Sequence, residues 1–394
     1  MDLHARHIIT SAEISSPSTV DIKWADGHMS HFPGLWLLSA CSCARCGSTE
    51  SAVRHALLTE LPDEPEVVSV STDVEGCLNV EWGDGHRSCF EPIWLRGHCL
   101  SDEEREHRLF KPQLWGKEIG NSLPYMSYTE VSADADRHLG FLETLRDLGF
   151  VILQAVPADR ERTEEIADLV GKLRLTNYGI FELKSKPNPE IVGDMAVALN
   201  LHTDEPYRRD PPAITLFHVL AQSDHGGDST ITDGFHVAEA LRRQDPKAFK
   251  ILASKPARFH RTLKEGRAFE IEAPIISVDH TGAVTGIRIL DRGMAPVDAS
   301  VDDVVPFYGA VRKFLALVYA GEGMITIKLQ PGEMLVFNNQ RLLHGRTAFD
   351  PSCSARHVRS CHVDLDEFHS KLRVAYRASS REEAWMKFRQ GAAL

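Results

Sequence analysis

The sequence is short of positive charge. Its 394 residues carry 44 Lys and Arg against 56 Asp and Glu, a formal net charge of −12. An electropositive face for a phosphate backbone is therefore not expected, and nucleic acid drops out as a partner. Long apolar runs are missing too. The longest uncharged stretch, residues 27–44, contains two His, a Pro and several Ser, which makes it too polar to cross a bilayer, so no membrane partner is expected. The opening MDLHARHIITSAEISS carries acids and lacks the apolar core of a secretion signal. Cysteine is sparse, eight in the chain, which argues against a disulfide framework and for a reducing, cytoplasmic compartment. Absent as well are the G-x-S-x-G elbow of hydrolases, the G-x-x-x-x-G-K-S/T phosphate loop and the G-x-G-x-x-G dinucleotide fingerprint. What remains is an ordinary globular composition, 43% hydrophobic and 25% charged. The length suits two domains, and the acidity suits an enzyme handling small molecules.

The front of the chain is a repeat. Residues 20–41 and 78–99 align at a fixed offset of 58, which matches Trp24 with Trp82, Asp26 with Asp84, His28 with His86 and Cys41 with Cys99. Phe32, Trp36 and Leu37 likewise match Phe90, Trp94 and Leu95. Each copy has a strand, an Asp-Gly turn, a second strand and an aromatic-aliphatic anchor, as hairpin chemistry requires. The two hairpins are expected to pair into one small sheet, joined by a helical stretch over 50–61. Residues 1–100 then form a small α+β domain, 101–124 a charged helical linker, and 125–394 the larger domain.

Two constellations carry chemistry. Cys41, Cys43 and Cys46 crowd three of the eight thiols into one tight loop, which points to a metal rather than to disulfides. Zinc takes four tetrahedral ligands from Cys and His, and a closed set is structural. His86 is the best fourth ligand, because the repeat places it on a hairpin turn next to the first copy's loop. His98 and Cys99 compete for that role, and three reduced thiols without metal is the bland alternative. The second constellation begins with His202-Thr-Asp204, where residues at i and i+2 of a strand point to one side. An apolar strand precedes it, and a Pro-rich turn and a buried-looking strand over 213–221 follow. His362-Val-Asp364 repeats the triplet, so the motif alone says little. His344, at the exposed-looking end of the strand in QPGEMLVFNNQRLLHGRTAF, completes a face of two His and one carboxylate, which leaves iron(II) three open positions. Twelve residues later comes Arg356, on a strand whose alternation sets it opposite to His357. A buried Arg there needs a carboxylate, which a dicarboxylate cosubstrate supplies.

With these residues the chain resembles the iron(II)/2-oxoglutarate-dependent dioxygenases, specifically the γ-butyrobetaine hydroxylase-like branch of the taurine dioxygenase superfamily. HTDEPYRRDPP, GGDSTITDGF, EAPIISVD and FNNQRLLHGR resemble that branch's blocks in order, as do DGH, WLLSACSCARC and the later DGH near the N-terminus. The resemblance implies a mainly β chain with helices: a double-stranded β-helix (jelly-roll) catalytic domain behind a small N-terminal α+β zinc-binding domain. It implies iron(II) on His202, Asp204 and His344, 2-oxoglutarate as cosubstrate with its far carboxylate on Arg356 and Ser229, and O2 as oxidant. It also implies a structural zinc on Cys41, Cys43, Cys46 and His86, and a homodimer.

The pattern departs from the branch at the substrate end. The branch meets a trimethylammonium group with an aromatic cage, since a quaternary cation offers no N–H and is best met by π faces. Here Tyr178 matches one cage position and Phe181 is close by, but Asp194 and His362 stand where the branch has aromatics. Leu290 and Asp291 replace an Asn pair, and Glu205 follows the H-x-D triplet where Asn or Tyr is usual. The pocket is thus expected to be more acidic and to take a small amine, betaine-like or zwitterionic substrate that retains N–H donors. Arg292 and Arg359 are available for an anionic end. The competing readings are γ-butyrobetaine hydroxylation to carnitine, an oxygenase of a related quaternary-ammonium phosphonate, a cupin-like metal enzyme that uses no oxo acid, and a zinc-dependent interaction module with a degenerate barrel.

Overall fold

The computed structural model describes residues 5–48, 53–55, 57–175, 179–184, 196–263, 266–320, 323–350 and 356–379. They fall into two compact units, one reaching Phe110 and the other starting at Lys111. In the first unit the expected single sheet is instead two three-stranded antiparallel meanders. One is Ile9–Ser16, Thr19–Trp24 and Met29–Pro33, the other Val67–Thr72, Leu78–Trp82 and Arg87–Phe90. The strand preceding each Asp-Gly hairpin pairs with its outer edge, so neither hairpin needs the other's edge to satisfy its backbone. The copies meet through side chains: alternate positions Val20, Ile22 and Trp24 pack in one core with Leu78, Val80 and Trp82. Leu37 and Leu95, on the short helices Gly34–Ser39 and Pro92–Gly97, close that core and are fully buried.

The helix expected over 50–61 does not form in its described part. The segment holds the short strand Val53–Arg54, paired with Gly47–Ser48, and one 3-10 turn, Leu58–Glu60. Leu57 and Leu58 are 62% and 68% exposed, so no apolar stripe is buried to hold a helix, which short segments need. The stretch 101–124, expected as a linker, is divided between the units. Helix Asp102–His107, capped by Ser101, belongs to the first, where Glu104 bonds Arg6 at 2.7 Å and Arg96 at 2.9 Å. Trp115 belongs to the second, packed against Phe150 at 5.2 Å between ring centroids.

The second unit is built on two sheets. The larger has the order Phe181–Lys184, His357–Val363, Ile214–Ala221, Met334–Asn338, Phe150–Gln154, Tyr125–Ser127; the smaller has Leu199–His202, Leu342–Arg346, Ser229–Asp233, Ile325–Ile327. Apart from the parallel outer pair of Tyr125–Ser127 with Phe150–Gln154, the neighbours are antiparallel. Phe150, Ile152, Val219, Phe337 and Val358 from the larger sheet share one core with Ile231, Ile325, Ile327 and Leu342 from the smaller. Helices accompany both sheets, giving a mixed α/β unit consistent with a jelly-roll core. Gly149 ends helix Ala135–Leu148 in a left-handed conformation, φ +79°, where a Cβ would lie 2.6 Å from Leu342 Cδ1. Only glycine can make the turn that delivers the strand Phe150–Gln154. Among the described residues no helix is long and apolar enough to cross a membrane.

Three imidazoles in this unit set its behaviour in acid. Burial pushes His218, His362 and His369 down from the ordinary 6.5 to about 4. Each stays neutral in the fold but takes up a proton once unfolded. Stability is therefore intact above pH 6.5 and is lost as pH falls toward 4, at up to about 1.4 kcal/mol per pH unit for each ring. The urea midpoint is expected to drop between pH 7 and 5, and His369→Leu to flatten that drop. An identical slope in the variant would remove His369 as a source.

Candidate active site

His202 closes the strand Leu199–His202 and lies directly across the ladder from His344, with ring centroids 4.4 Å apart. His344 is not at an exposed strand end: it is the middle residue of Leu342–Arg346, all five of whose residues are buried. That strand is paired on both sides, by Leu199–His202 and by Ser229–Asp233, which is why it runs on past His344. Gly345 is required by crowding, since a Cβ there would stand 2.5 Å from the Leu199 carbonyl oxygen. Asp204 falls beyond the end of its strand, so strand alternation does not place it. Asn339 does. Its Oδ1 accepts the Asp204 N–H at 2.6 Å, while its Nδ2 donates to the carbonyls of Asp204 at 3.2 Å and Pro212 at 2.9 Å. No local sequence pattern would have singled out Asn339.

The result is a convergent donor set. His202 Nε2 is 3.5 Å from Asp204 Oδ1, His344 Nε2 is 3.5 Å from Asp204 Oδ2, and the three donors all lie within 4.8 Å of one another. Donors about 2.1 Å from one ion and at right angles stand about 3 Å apart, so a small contraction suits the set to an octahedral metal. His202 Nδ1 donates to the Asn200 carbonyl at 2.8 Å, which leaves Nε2 as the ligating nitrogen. Burial pushes Asp204 up, but the His344 and His202 imidazoles outweigh it and hold the carboxyl well below the usual carboxylate range. Burial lowers His344, whereas His202, against the same burial, is raised by Asp204.

A cavity of about 580 Å³ opens on this set, lined by Ser229, Arg356, Phe181, Glu205, Leu290, Asp291, Arg292 and His362. Tyr178 and Asp194 lie outside the described residues. Arg359 is not on the cavity wall. Along His357–Val363 the alternation turns Ser360 and His362 toward the cavity, on the side of Arg356. Arg359 falls on the other face, where Glu164 binds its guanidinium at 3.0 and 2.9 Å. The parity used to orient Arg356 would have excluded it.

Arg346, not singled out from the sequence, has the parity of His344 and lines the same cavity, across the ladder from Ser229. Its Nη2 donates to the Val197 carbonyl at 2.9 Å. Burial and the charge of Arg346 bring Arg356 down to about 10, and its buried Nε has no hydrogen-bond partner among the described residues. Two guanidinium groups and a hydroxyl thus gather on one wall, an arrangement suited to a carboxylate. At the substrate wall His362 is held by Thr215 Oγ1 at 3.0 Å and meets Phe181 edge-on at 6.0 Å. Glu205 adopts a left-handed φ of +48° and pairs with Arg208. Its Oε1 is buried with no hydrogen-bond partner among the described residues, and burial pushes the carboxyl up.

The N-terminal unit holds a second donor set. Cys41, Cys43 and Cys46 Sγ lie 3.4, 3.1 and 3.4 Å from His86 Nε2, and the four donors fall within 4.8 Å of one another. His98 stacks on Trp94 at 4.3 Å and Cys99 lies 3.3 Å from His28, so neither joins the cage. Burial opposes ionisation of Cys43, yet the His86 contact and the Cys46 N–H bring it down to about 7. Burial and Cys41 push Cys46 up to about 12. Crowded thiols with such opposed tendencies are what a divalent cation reconciles, by ionising them all.

Residues 107–362 match the taurine catabolism dioxygenase TauD, TfdA family. Over 367 residues the chain is 34% identical to a gamma-butyrobetaine dioxygenase of Pseudomonas sp. (strain AK-1), covering 92% of this chain and 95% of that protein. It is 30% identical over 371 residues to the Homo sapiens gamma-butyrobetaine dioxygenase, with 90% and 94% covered. Against a trimethyllysine dioxygenase of Meyerozyma guilliermondii the identity is 26% over 377 residues, with 90% and 93% covered.

Proposed function

The chain belongs to the taurine catabolism dioxygenase TauD, TfdA family, and from that premise we propose that it oxidises a small amine or zwitterion retaining N–H donors, at an iron(II) centre held by His202, Asp204 and His344. It is an iron(II)/2-oxoglutarate-dependent dioxygenase. Bound iron, with 2-oxoglutarate and O2, supplies the oxidising power that breaks an unactivated C–H bond. The chain's own residues orient the reactants and exclude water. Arg356, Arg346 and Ser229 take the far carboxylate of the cosubstrate, and the two facing sheets are the double-stranded β-helix that carries them. Cys41, Cys43, Cys46 and His86 hold a structural zinc, which makes the first unit a zinc-binding domain. A homodimer belongs to the same reading and is tested by sedimentation, and the free thiols suit a reducing, cytoplasmic compartment.

The observation that carries the substrate class is the buried Glu205 Oε1 on the cavity wall, which has no hydrogen-bond partner among the described residues. A buried acceptor left unsatisfied costs about 1–3 kcal/mol, which an ammonium N–H recovers and a trimethylammonium cannot. Asp291 and Arg292 line the same cavity and are available for the rest of a zwitterion. The test is a turnover panel of amines and betaines with iron(II) and 2-oxoglutarate, read as succinate and as the gain of one oxygen. Amines bearing N–H are expected to outrun γ-butyrobetaine; efficient conversion of γ-butyrobetaine to carnitine would overturn the substrate class.

The cosubstrate wall is tested separately. Arg356→Met removes charged hydrogen bonds worth about 1.5–3 kcal/mol, so KM for 2-oxoglutarate is expected to rise about 10–200-fold with a smaller change in kcat. An unchanged KM would exclude Arg356 from cosubstrate binding.

A further inference from the structure

The chain just after Asp204 holds a conformation that it would not adopt unaided. Glu205 and Ala155 are the two non-glycine residues with positive φ among the described residues, and Glu205, at +48°, is the one on the cavity wall. An L side chain in that region is strained and persists only where its surroundings over-determine it, which happens most at functional sites. Residues 205–212 form no strand or helix, and Pro206, Pro211 and Pro212 bring no N–H. The carbonyls of this loop have no ladder to join, so their donors must come from elsewhere.

One side chain supplies three of them. Arg288 donates through Nη1 to the carbonyls of Pro206 at 2.8 Å and Arg208 at 2.5 Å, and through Nη2 to that of Arg209 at 3.0 Å. A planar fork with five N–H groups can serve three carbonyls at once, a geometry that a lysine ammonium does not match. The braced backbone carries Arg208, whose guanidinium returns to the Glu205 carboxylate and lies over the Phe269 ring at 4.5 Å. Glu205 is thus gripped from the loop, while its Oε1 keeps no hydrogen-bond partner among the described residues. Arg288 also opens the segment that reaches the rest of the site. Its neighbour Ile289 accepts the Thr203 N–H at 2.8 Å and donates to Thr203 Oγ1 at 3.0 Å. Leu290, Asp291 and Arg292 then follow on the cavity wall.

We propose that Arg288 is a positioning residue that sets substrate specificity: it acts through Glu205, bracing residues 206–209 so that this carboxylate stays in its strained conformation at the cavity. Its hold is separate from that on the metal ligand, because Asp204 is fixed by Asn339 and Thr203 by Ile289. Losing Arg288 therefore loosens the amine-binding carboxylate and leaves the iron face in place. The inference rests on the reading of Glu205 as the acceptor for the substrate's N–H donors.

The experiment is a double-variant cycle on the full chain, with iron(II), 2-oxoglutarate, the amine of the turnover panel that is oxidised fastest, and its N-trimethylated analogue. Arg288→Met keeps the stem and removes the fork. It is expected to lower kcat/KM for the amine about 10–100-fold, mainly through KM, and to narrow the preference for the amine over the analogue. KM for 2-oxoglutarate should hold, as should the visible band that iron(II) gives with 2-oxoglutarate in the absence of O2. Glu205→Gln should lose as much. Adding Arg288→Met to it should then change kcat/KM by less than about twofold, since residues acting as one unit are not additive. Arg288→Lys should show a smaller loss, and it carries the cycle if Arg288→Met does not fold. Additive losses overturn the proposal. So does a folded Arg288 variant with the wild-type KM, or one that loses amine turnover, analogue turnover and the iron band together. A wild type that prefers the trimethylated analogue would instead sink the reading of Glu205, and the cycle run on that analogue still reports whether the two residues act as one.

Discussion

His344→Ala is expected to end turnover rather than slow it. The residue is locked between two paired strands, directly across from His202 and within 3.5 Å of Asp204, so the backbone cannot shift to bring another donor to its place. Losing an outer-shell partner of a metal ligand costs about 10–100-fold in affinity or activity, and losing the ligand itself must cost more, on the order of 10³-fold. Iron(II) with 2-oxoglutarate, mixed anaerobically, gives a weak visible charge-transfer band when the three-ligand face is intact. That band and succinate formation should both vanish in the variant, while zinc content stays at the wild-type value. The imidazole also packs on Phe337 at 4.9 Å, so circular dichroism must accompany the assay to separate a lost ligand from a lost fold. Succinate at even a tenth of the wild-type rate, in a folded variant, would remove His344 from the iron centre.

How much of this was legible in the sequence depended on whether local alternation decides the matter. It does for side chains on regular strands. Arg356 and His362 both face the cavity because period-two alternation puts them on one side of their segment, and ladder register sets Ser229 beside Arg346 on the facing sheet. The same rule carries Arg346 to the cavity from its place two residues after His344 and turns Arg359 toward Glu164; applied consistently to the sequence it would have settled both. It does not reach residues off the ladder. Asp204 follows the end of its strand, and its position is fixed by Asn339, 135 residues away, a bond no local pattern encodes. The apparent exposure of His344 was misleading for a related reason: neighbouring strands cover both its edges, and chain order does not say which strands those are.

The repeat was equally informative and equally limited. Matching Asp-Gly turns and tryptophans located both hairpins and made His86 the best partner for the cysteine loop. They could not tell whether the hairpins would join in one sheet or each take a third strand, because the outer strands Ile9–Ser16 and Val67–Thr72 lie outside the repeated segment. Family resemblance added what alternation could not, an order of blocks along the whole chain, and the family match over residues 107–362 together with a 34% identical relative covering 92% of the chain bears out the family.

Cys43→Ser is expected to unfold the N-terminal unit while sparing the iron centre. Cys43 gives the cage its shortest contact, 3.1 Å to His86, and its thiol, at about 7, is poised to ionise. Serine keeps the shape but gives zinc a hard, neutral donor, so the tetrahedral set is lost. Closing such a cage is worth about 10–16 kcal/mol at neutral pH in small zinc domains, whereas a whole domain is usually stable by only about 5–15 kcal/mol. The loss therefore matches or exceeds what the core of Trp24, Trp82 and their neighbours can leave in reserve. Four of the five tryptophans among the described residues, Trp24, Trp36, Trp82 and Trp94, belong to this unit, so the change should be plain in fluorescence. The expected result is zinc falling from one per chain to none, a red-shifted tryptophan emission, and loss of one of two thermal transitions. The anaerobic iron(II)/2-oxoglutarate band should remain. A zinc-free variant that keeps the wild-type emission and both transitions would show that the cysteine loop is ordered without metal, and the cage would then be four reduced side chains rather than a structural site.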